Sequence, residues 1–182
     1  MRRAVLLSLA LALSFPLTAD AAMKVNGKPK ISFFATGSPG FLDIEGVTET
    51  VTVADDGTRL TFTVPMDSVK TGIDTRDEHM NHEYVQTAQF PNATLKVDKA
   101  AVTWPANAGE KKTGTAKGEF TIHGVAKPVD VTYTVTKSKT GFVVKSKFNF
   151  DCSQHGITIP SYLGVTVDPK MYAEVQLELV DA

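Results

Sequence analysis

His79 and His82 stand three residues apart in the stretch Val69–Pro91 (VKTGIDTRDEHMNHEYVQTAQFP), with Asp77 and Glu83 beside them. Histidines at i and i+3 on a helix share a side, the start of a zinc or nickel site or of a metal-dependent enzyme. The pattern stops short of one. HExxH is absent, and no third ligand follows at a fixed spacing. Arg76 offers a second chemistry, as a guanidinium able to meet an anionic or quinone head group. Cys152 and His155 form a third candidate, C-x-x-H near a strand end. It lacks the second cysteine of a haem attachment motif, and positions three apart on a strand point to opposite faces. This predicts a buried thiol and a loop histidine. Ser-based catalysis finds no G-x-S-x-G, and no glycine-rich loop is placed to cradle phosphate. His123 lies in a turn and is expected to be solvated. The expectation is no metal, no cofactor and no catalytic residue.

The segment that carries His79 needs an element to position it. Thr75-Arg76-Asp77-Glu78 has the form of a capping box, with the Thr75 hydroxyl on the Glu78 amide and the Glu78 carboxylate reaching back. A short helix is predicted over about residues 76–84, with Met80 and Tyr84 at i,i+4 as its apolar contact. Alone it is too short to be stable. It reads as a lid or brace between strands, locked by hydrogen bonds from Arg76, Asp77 and His79 and shaping one mouth of the protein.

Almost everything else alternates. Leu60, Phe62 and Val64 oppose Arg59, Thr61 and Thr63. Ala116, Gly118, Phe120 and Ile122 share a face, as do Val129, Val131, Tyr133 and Val135. Phe142, Val144, Ser146, Phe148 and Phe150 form another apolar row, and Ala173, Val175, Leu177 and Leu179 a last one. Weaker strands are expected at 30–35, 41–44, 48–53 and 94–97, with 24–30 a compressed N-terminal segment. Turns fall at Gly37-Ser38-Pro39-Gly40, Asp55-Asp56-Gly57, Ala108-Gly109, His123-Gly124 and Thr140-Gly141. One-sided alternation means an antiparallel sheet with a dry face and a wet face. One short helix cannot cover that dry face. The sheet closes on itself or packs on a second sheet, and a closed eight-stranded barrel has room for one small ligand. Phe33, Phe62, Val64, Phe120, Tyr133, Phe142, Phe148 and Phe150 are the candidate lining; the same residues would also fill a dry core.

The first 21 residues read differently. Met1-Arg2-Arg3 is basic, Ala4–Leu17 is almost wholly apolar, and Ala19-Asp20-Ala21 suits cleavage. A signal peptide over 1–21 is expected, leaving one domain over 22–182 and no integral membrane segment. A single cysteine excludes an intrachain disulfide and suits a bacterial periplasm better than a disulfide-stapled extracellular module. The formal net charge of −1, with signs mixed along the chain, argues against nucleic-acid binding.

Three pieces in order resemble the YceI family of bacterial secreted proteins. They are Ser68-Val69-Lys70-Thr71-Gly72 with Arg76-Asp77-x-His79 and Phe90-Pro91, the hairpin Gly118–Val129 (GEFTIHGVAKPV), and His155-Gly156-Ile157 where the family often has Phe-Gly-Ile. The resemblance covers most of the chain after residue 21. It implies an all-β, lipocalin-like antiparallel barrel of eight strands with one short helix, whose interior holds a polyisoprenoid or isoprenoid quinone lipid. Glu83-Tyr84-Val85 departs from the paired aromatics common there. Arg76 and His79 join the barrel aromatics as candidate ligand contacts. The expected partners are that lipid and, for the protein itself, a possible homodimer. The alternatives are a stress-related interaction protein with a filled barrel, and a metal-dependent enzyme at His79 and His82.

Overall fold

The computed structural model describes residues 22–39, 42–162 and 165–182. The leader expected over 1–21, and Gly40 and Phe41 at one predicted turn and strand, lie outside them. The described chain forms β1 (Met23–Ser38), β2 (Leu42–Thr48), β3 (Thr52–Asp55), β4 (Arg59–Pro65), β5 (Asn92–Asp98), β6 (Lys111–Ile122), β7 (Val125–Lys137), β8 (Gly141–Asp151), β9 (Ser161–Tyr162), β10 (Val165–Val167) and β11 (Lys170–Asp181). One helix, α1, spans Asp74–His79 and runs into a single π turn over Met80–Tyr84.

Every pairing is antiparallel, in the order β3-β4-β5-β6-β7-β8-β11-β1-β10-β9, with β2 also on β1. β2 pairs with the second half of β1 from Ile31 to Gly37, while β3 pairs with β4. Residues 42–55 are therefore one strand broken at Glu49–Val51, and it joins the two edges of the sheet. Among the described residues this gives eight barrel strands: β1, the β2/β3 run, β4, β5, β6, β7, β8 and β11. The small hairpin β9/β10 hangs on the end of β1. The predicted lipocalin-like barrel with one short helix is the observed fold.

The alternation dictates the packing. Leu60 and Val64, Ala116, Phe120 and Ile122, Val129 through Val135, Phe148 and Phe150, and Ala173, Leu177 and Leu179 are the rows that supply the buried core. His123 and Gly124, both at positive φ, turn β6 into β7 as a two-residue hairpin, which requires that backbone. β1 is longer than the alternation suggests. Its register on β11 shifts between Asn26 and Lys30, at Gly27 with φ 69°, and this bulge breaks the pattern in 24–30.

The helix starts differently from the capping-box expectation. Its N-cap is Ile73, which makes no side-chain cap, and Thr75 lies exposed inside the first turn. The helix is anchored instead by Asp77, which is buried and accepts from the Thr71 amide at 2.8 Å and the Thr71 hydroxyl at 2.5 Å. Arg76 closes the ring, donating to the Thr71 hydroxyl at 2.8 Å and the Thr71 carbonyl at 2.7 Å. Met80 and Tyr84 pack against the core as expected.

Candidate functional site

The two poles of the barrel are built differently. At one pole, the β4–β5 connection (66–91), the β6–β7 hairpin and the β8–β11 connection meet. Met66, Val69, Val85, Ile122, Cys152 and Ile157 are buried there under the helix. His155 lies in the β8–β11 connection, the loop position expected of it, and is buried there. Its Nδ1 donates to the Val125 carbonyl at 2.8 Å, and its ring meets Phe120 at 5.6 Å and Phe150 at 6.1 Å. His123, expected to be solvated, is half-buried. Its ring sits 4.3 Å from Phe90, with Nδ1 3.2 Å from the His155 carbonyl. Cys152 is buried as expected, and that burial, with Asp151 nearby, pushes its thiol up to about 11.

Below this plug lies a layer of aromatic rings. Phe120 packs on Phe148 and Phe150, both at 4.9 Å, and Phe33 meets Phe150 edge-on at 6.5 Å. From that layer a cavity runs through the barrel to the opposite pole. Its wall is almost entirely apolar: Phe33, Phe62, Val64 and Ala173 beside the aromatic layer, Ile31, Ala116, Val131, Tyr133 and Val175 midway, then Leu60, Val135, Val144, Leu177 and Leu179. Ser146 adds one hydroxyl. The free space for water-sized spheres is about 80 Å³, smaller than the roughly 300–1,000 Å³ of usual ligand pockets.

The far pole is closed by the β5–β6 connection, which we call the strap. Val102 and Trp104 on the strap line the cavity, as does Val51 at the break between β2 and β3. The Trp104 ring packs on Phe142 at 5.0 Å, and Lys137 stands 4.0 Å over that phenyl ring. Two hydrogen bonds hold the strap near Trp104. Its indole Nε1 donates to the Lys99 carbonyl at 3.1 Å, and the Thr103 amide donates to the Tyr133 hydroxyl at 2.9 Å. Gly114 makes room for that phenol, since a Cβ there would lie 2.6 Å from the hydroxyl. Further along, Glu110 accepts from the amides of Ala106 and Asn107. The Lys112 hydrogen bond, with these amides, pulls its carboxyl down to about 2.

One buried ion pair anchors the same pole. Asp55 accepts from Lys99 Nζ at 3.0 Å, the Met23 amide at 3.1 Å and the Gly57 amide at 2.8 Å. Its side chain is 0% exposed and that of Lys99 10%. Burial alone would raise the Asp55 carboxyl. The Gly57 amide, Lys99 and the Met23 amide outweigh it and hold the carboxyl below its ordinary value.

Of the predicted site residues, Phe33, Phe62, Val64, Phe120, Tyr133 and Phe148 come together on the cavity wall. Phe150 belongs to the aromatic layer but does not line the cavity, and Phe142 packs on Trp104, also outside the lining. Arg76 and His79 stand at the helix pole, outside the wall, with His79 and Glu78 both exposed. Among the described residues no three His, Cys, Asp or Glu side chains converge as a metal site would need. The residue that sequence reasoning missed is Trp104. It is the only tryptophan, yet it lies in a loop with no periodicity to mark it as inward-facing.

A closed antiparallel barrel with an apolar interior and a braced pole defines a lipocalin-like binding fold. The YceI-like domain matches residues 30–180, and the chain belongs to that family. Its fold is shared by a polyisoprenoid-binding domain from Saccharophagus degradans, at TM-score 0.74 and 14% identity, covering 90% of this chain and 100% of that one. BcnA of Burkholderia cenocepacia is similar at TM-score 0.65 and 16% identity, over 84% of this chain and 96% of its own. No curated protein matches the chain in sequence.

Proposed function

We propose that this protein holds an elongated apolar lipid, a polyisoprenoid or isoprenoid quinone, inside its barrel, in the periplasm after removal of residues 1–21. The observation that carries this reading is the apolar wall running from the Phe120–Phe148 layer to Trp104. An apolar wall selects by burial and asks nothing of catalysis. Each five-carbon unit contributes roughly 3–4 kcal/mol gross at about 0.8 kcal/mol per carbon, so a few units outweigh the cost of association. Phe33, Phe62, Val64, Phe120, Tyr133 and Phe148 are the contacts, and Ser146 is the one hydroxyl on the wall beside the Tyr133 phenol and Thr94 that a polar group could meet midway. The polyisoprenoid-binding description of the Saccharophagus domain supports the same ligand class. A long chain exceeds about 80 Å³, so side chains or the strap must shift to admit it.

That small volume favours a second reading, an interaction protein with a filled barrel that works through its surface. Lipid extraction from the protein purified from its natural source separates the two. A co-purifying isoprenoid supports the first reading, and consistently lipid-free protein that takes up no hydrophobic probe supports the second.

A further inference from the structure

We propose that the lipid enters and leaves at the Trp104 pole, by displacement of the strap, and that the Asp55–Lys99 ion pair is the latch that holds it shut. This deepens the lipid-binding reading and rests on it.

The helix pole is the less permeable end. Between the cavity and the helix stand the Phe120, Phe148 and Phe150 rings, then Met66, Val69 and Val85, each buried. None of Met66, Val69, Met80, Tyr84 and Val85 lines the cavity. A chain passing that way would have to push apart both packed layers.

At the strap pole the cavity wall is the closing element itself. Val102, Trp104 and Val51 line it directly, and Trp104 remains partly exposed on its outer side. The barrel is also weakest here. β3 pairs only with β4, and the first half of β1 only with β11. The two strands lie side by side without a ladder between them. Among the described residues, the hydrogen bond across this seam is the Met23 amide on the Asp55 carboxylate, beside apolar contacts of Met23, Val25, Val51 and Val53. A seam without a ladder opens at the cost of that hydrogen bond and of apolar contact, with no row of backbone hydrogen bonds to break.

Asp55 ties the pieces of this pole together. Its carboxylate holds β1 through Met23, the β3–β4 turn through Gly57 and the start of the strap through Lys99. The Lys99 carbonyl in turn holds the Trp104 indole. Releasing the Lys99 ammonium from Asp55 removes the side-chain tie between the strap and β3, while the Lys99 amide stays on the Thr58 carbonyl at 2.8 Å as the hinge of the strap.

Stopped-flow fluorescence with all-trans retinol, a short fluorescent isoprenoid alcohol, tests this on the mature chain. Trp104→Ala and Lys99→Met each weaken the closure, and Tyr84→Ala loosens the helix pole. Equilibrium unfolding confirms which variants are folded, and the folded ones are compared. Faster retinol uptake and release by about tenfold in Trp104→Ala or Lys99→Met, with Tyr84→Ala unchanged, is the expected result. Faster exchange in Tyr84→Ala with the strap variants unchanged overturns the portal and leaves lipid binding standing. Equal rates in all variants also overturn it. No retinol uptake by the wild-type protein overturns lipid binding and the portal together.

Discussion

The Asp55 carboxylate and the Lys99 ammonium meet at 3.0 Å with almost no exposure to water, at the pole of the barrel that Trp104 closes. Replacing the carboxylate takes from buried Lys99 the anion it meets at 3.0 Å, and from the Met23 and Gly57 amides their charged acceptor. Asp55→Asn is therefore expected to cost about 3 kcal/mol of stability at neutral pH, measured by urea unfolding.

The same pair sets a pH dependence. Asp55 is held below its ordinary value by the Gly57 amide, Lys99 and the Met23 amide, against the upward push of burial. A carboxyl with a depressed folded pKa contributes its full stability above its unfolded value of about 3.9, and loses it as pH falls through the folded value. The stability gap between wild type and Asp55→Asn should stay constant from pH 7 to pH 5 and narrow below pH about 4. Thermal unfolding across that range reads it directly. A gap that widens on acidification would contradict the assignment.

The brace depends on Asp77 rather than on Thr75. Asp77→Ala leaves the Thr71 amide and hydroxyl without their acceptor, and should cost about 2 kcal/mol. Thr75→Ala touches an exposed residue that caps nothing and should change stability by less than about 0.5 kcal/mol. Chemical denaturation of the two variants side by side decides between the anchor seen here and a capping box.

The Cys152 thiol, buried and pushed up to about 11, should be inert in the folded protein. A thiol raised that far above its ordinary value carries roughly 100-fold less thiolate. Alkylation by iodoacetamide at pH 8, followed by mass spectrometry, should be slow in the native state and fast in urea. Rapid native labelling would contradict this burial.

Legibility in the sequence followed periodicity. Leu60-Phe62-Val64, Phe148-Phe150 and Leu177-Leu179 announce their faces because a strand alternates with period two, and burial then does the rest. The first half of β1 stayed hidden because the bulge at Gly27 interrupts that period. Thr75-x-x-Glu78 satisfied a local rule, but Asp77 made a better contact with Thr71 in the preceding turn. Asp55 looked like any turn acid, since its partner Lys99 is far along the chain. Trp104 is in a loop, where no local pattern says which way a side chain faces. The charges around His79 drew attention to the helix pole, while the cavity's closure lies at the other.

Filling the cavity should separate binding from folding. Ala173 lies on the cavity wall, so Ala173→Leu inserts bulk there, at a cost of about 1–3 kcal/mol of stability. Retinol affinity should fall by about tenfold or more, measured by fluorescence titration of folded protein. Unchanged affinity would place the ligand elsewhere.

The most direct test of the central claim is native mass spectrometry, with lipid extraction, of the protein purified from its natural source. A bound polyisoprenoid or isoprenoid quinone near one per barrel is the expected result, released when the protein unfolds. Protein that carries no lipid in any preparation, and takes up no retinol when offered it, would contradict the claim.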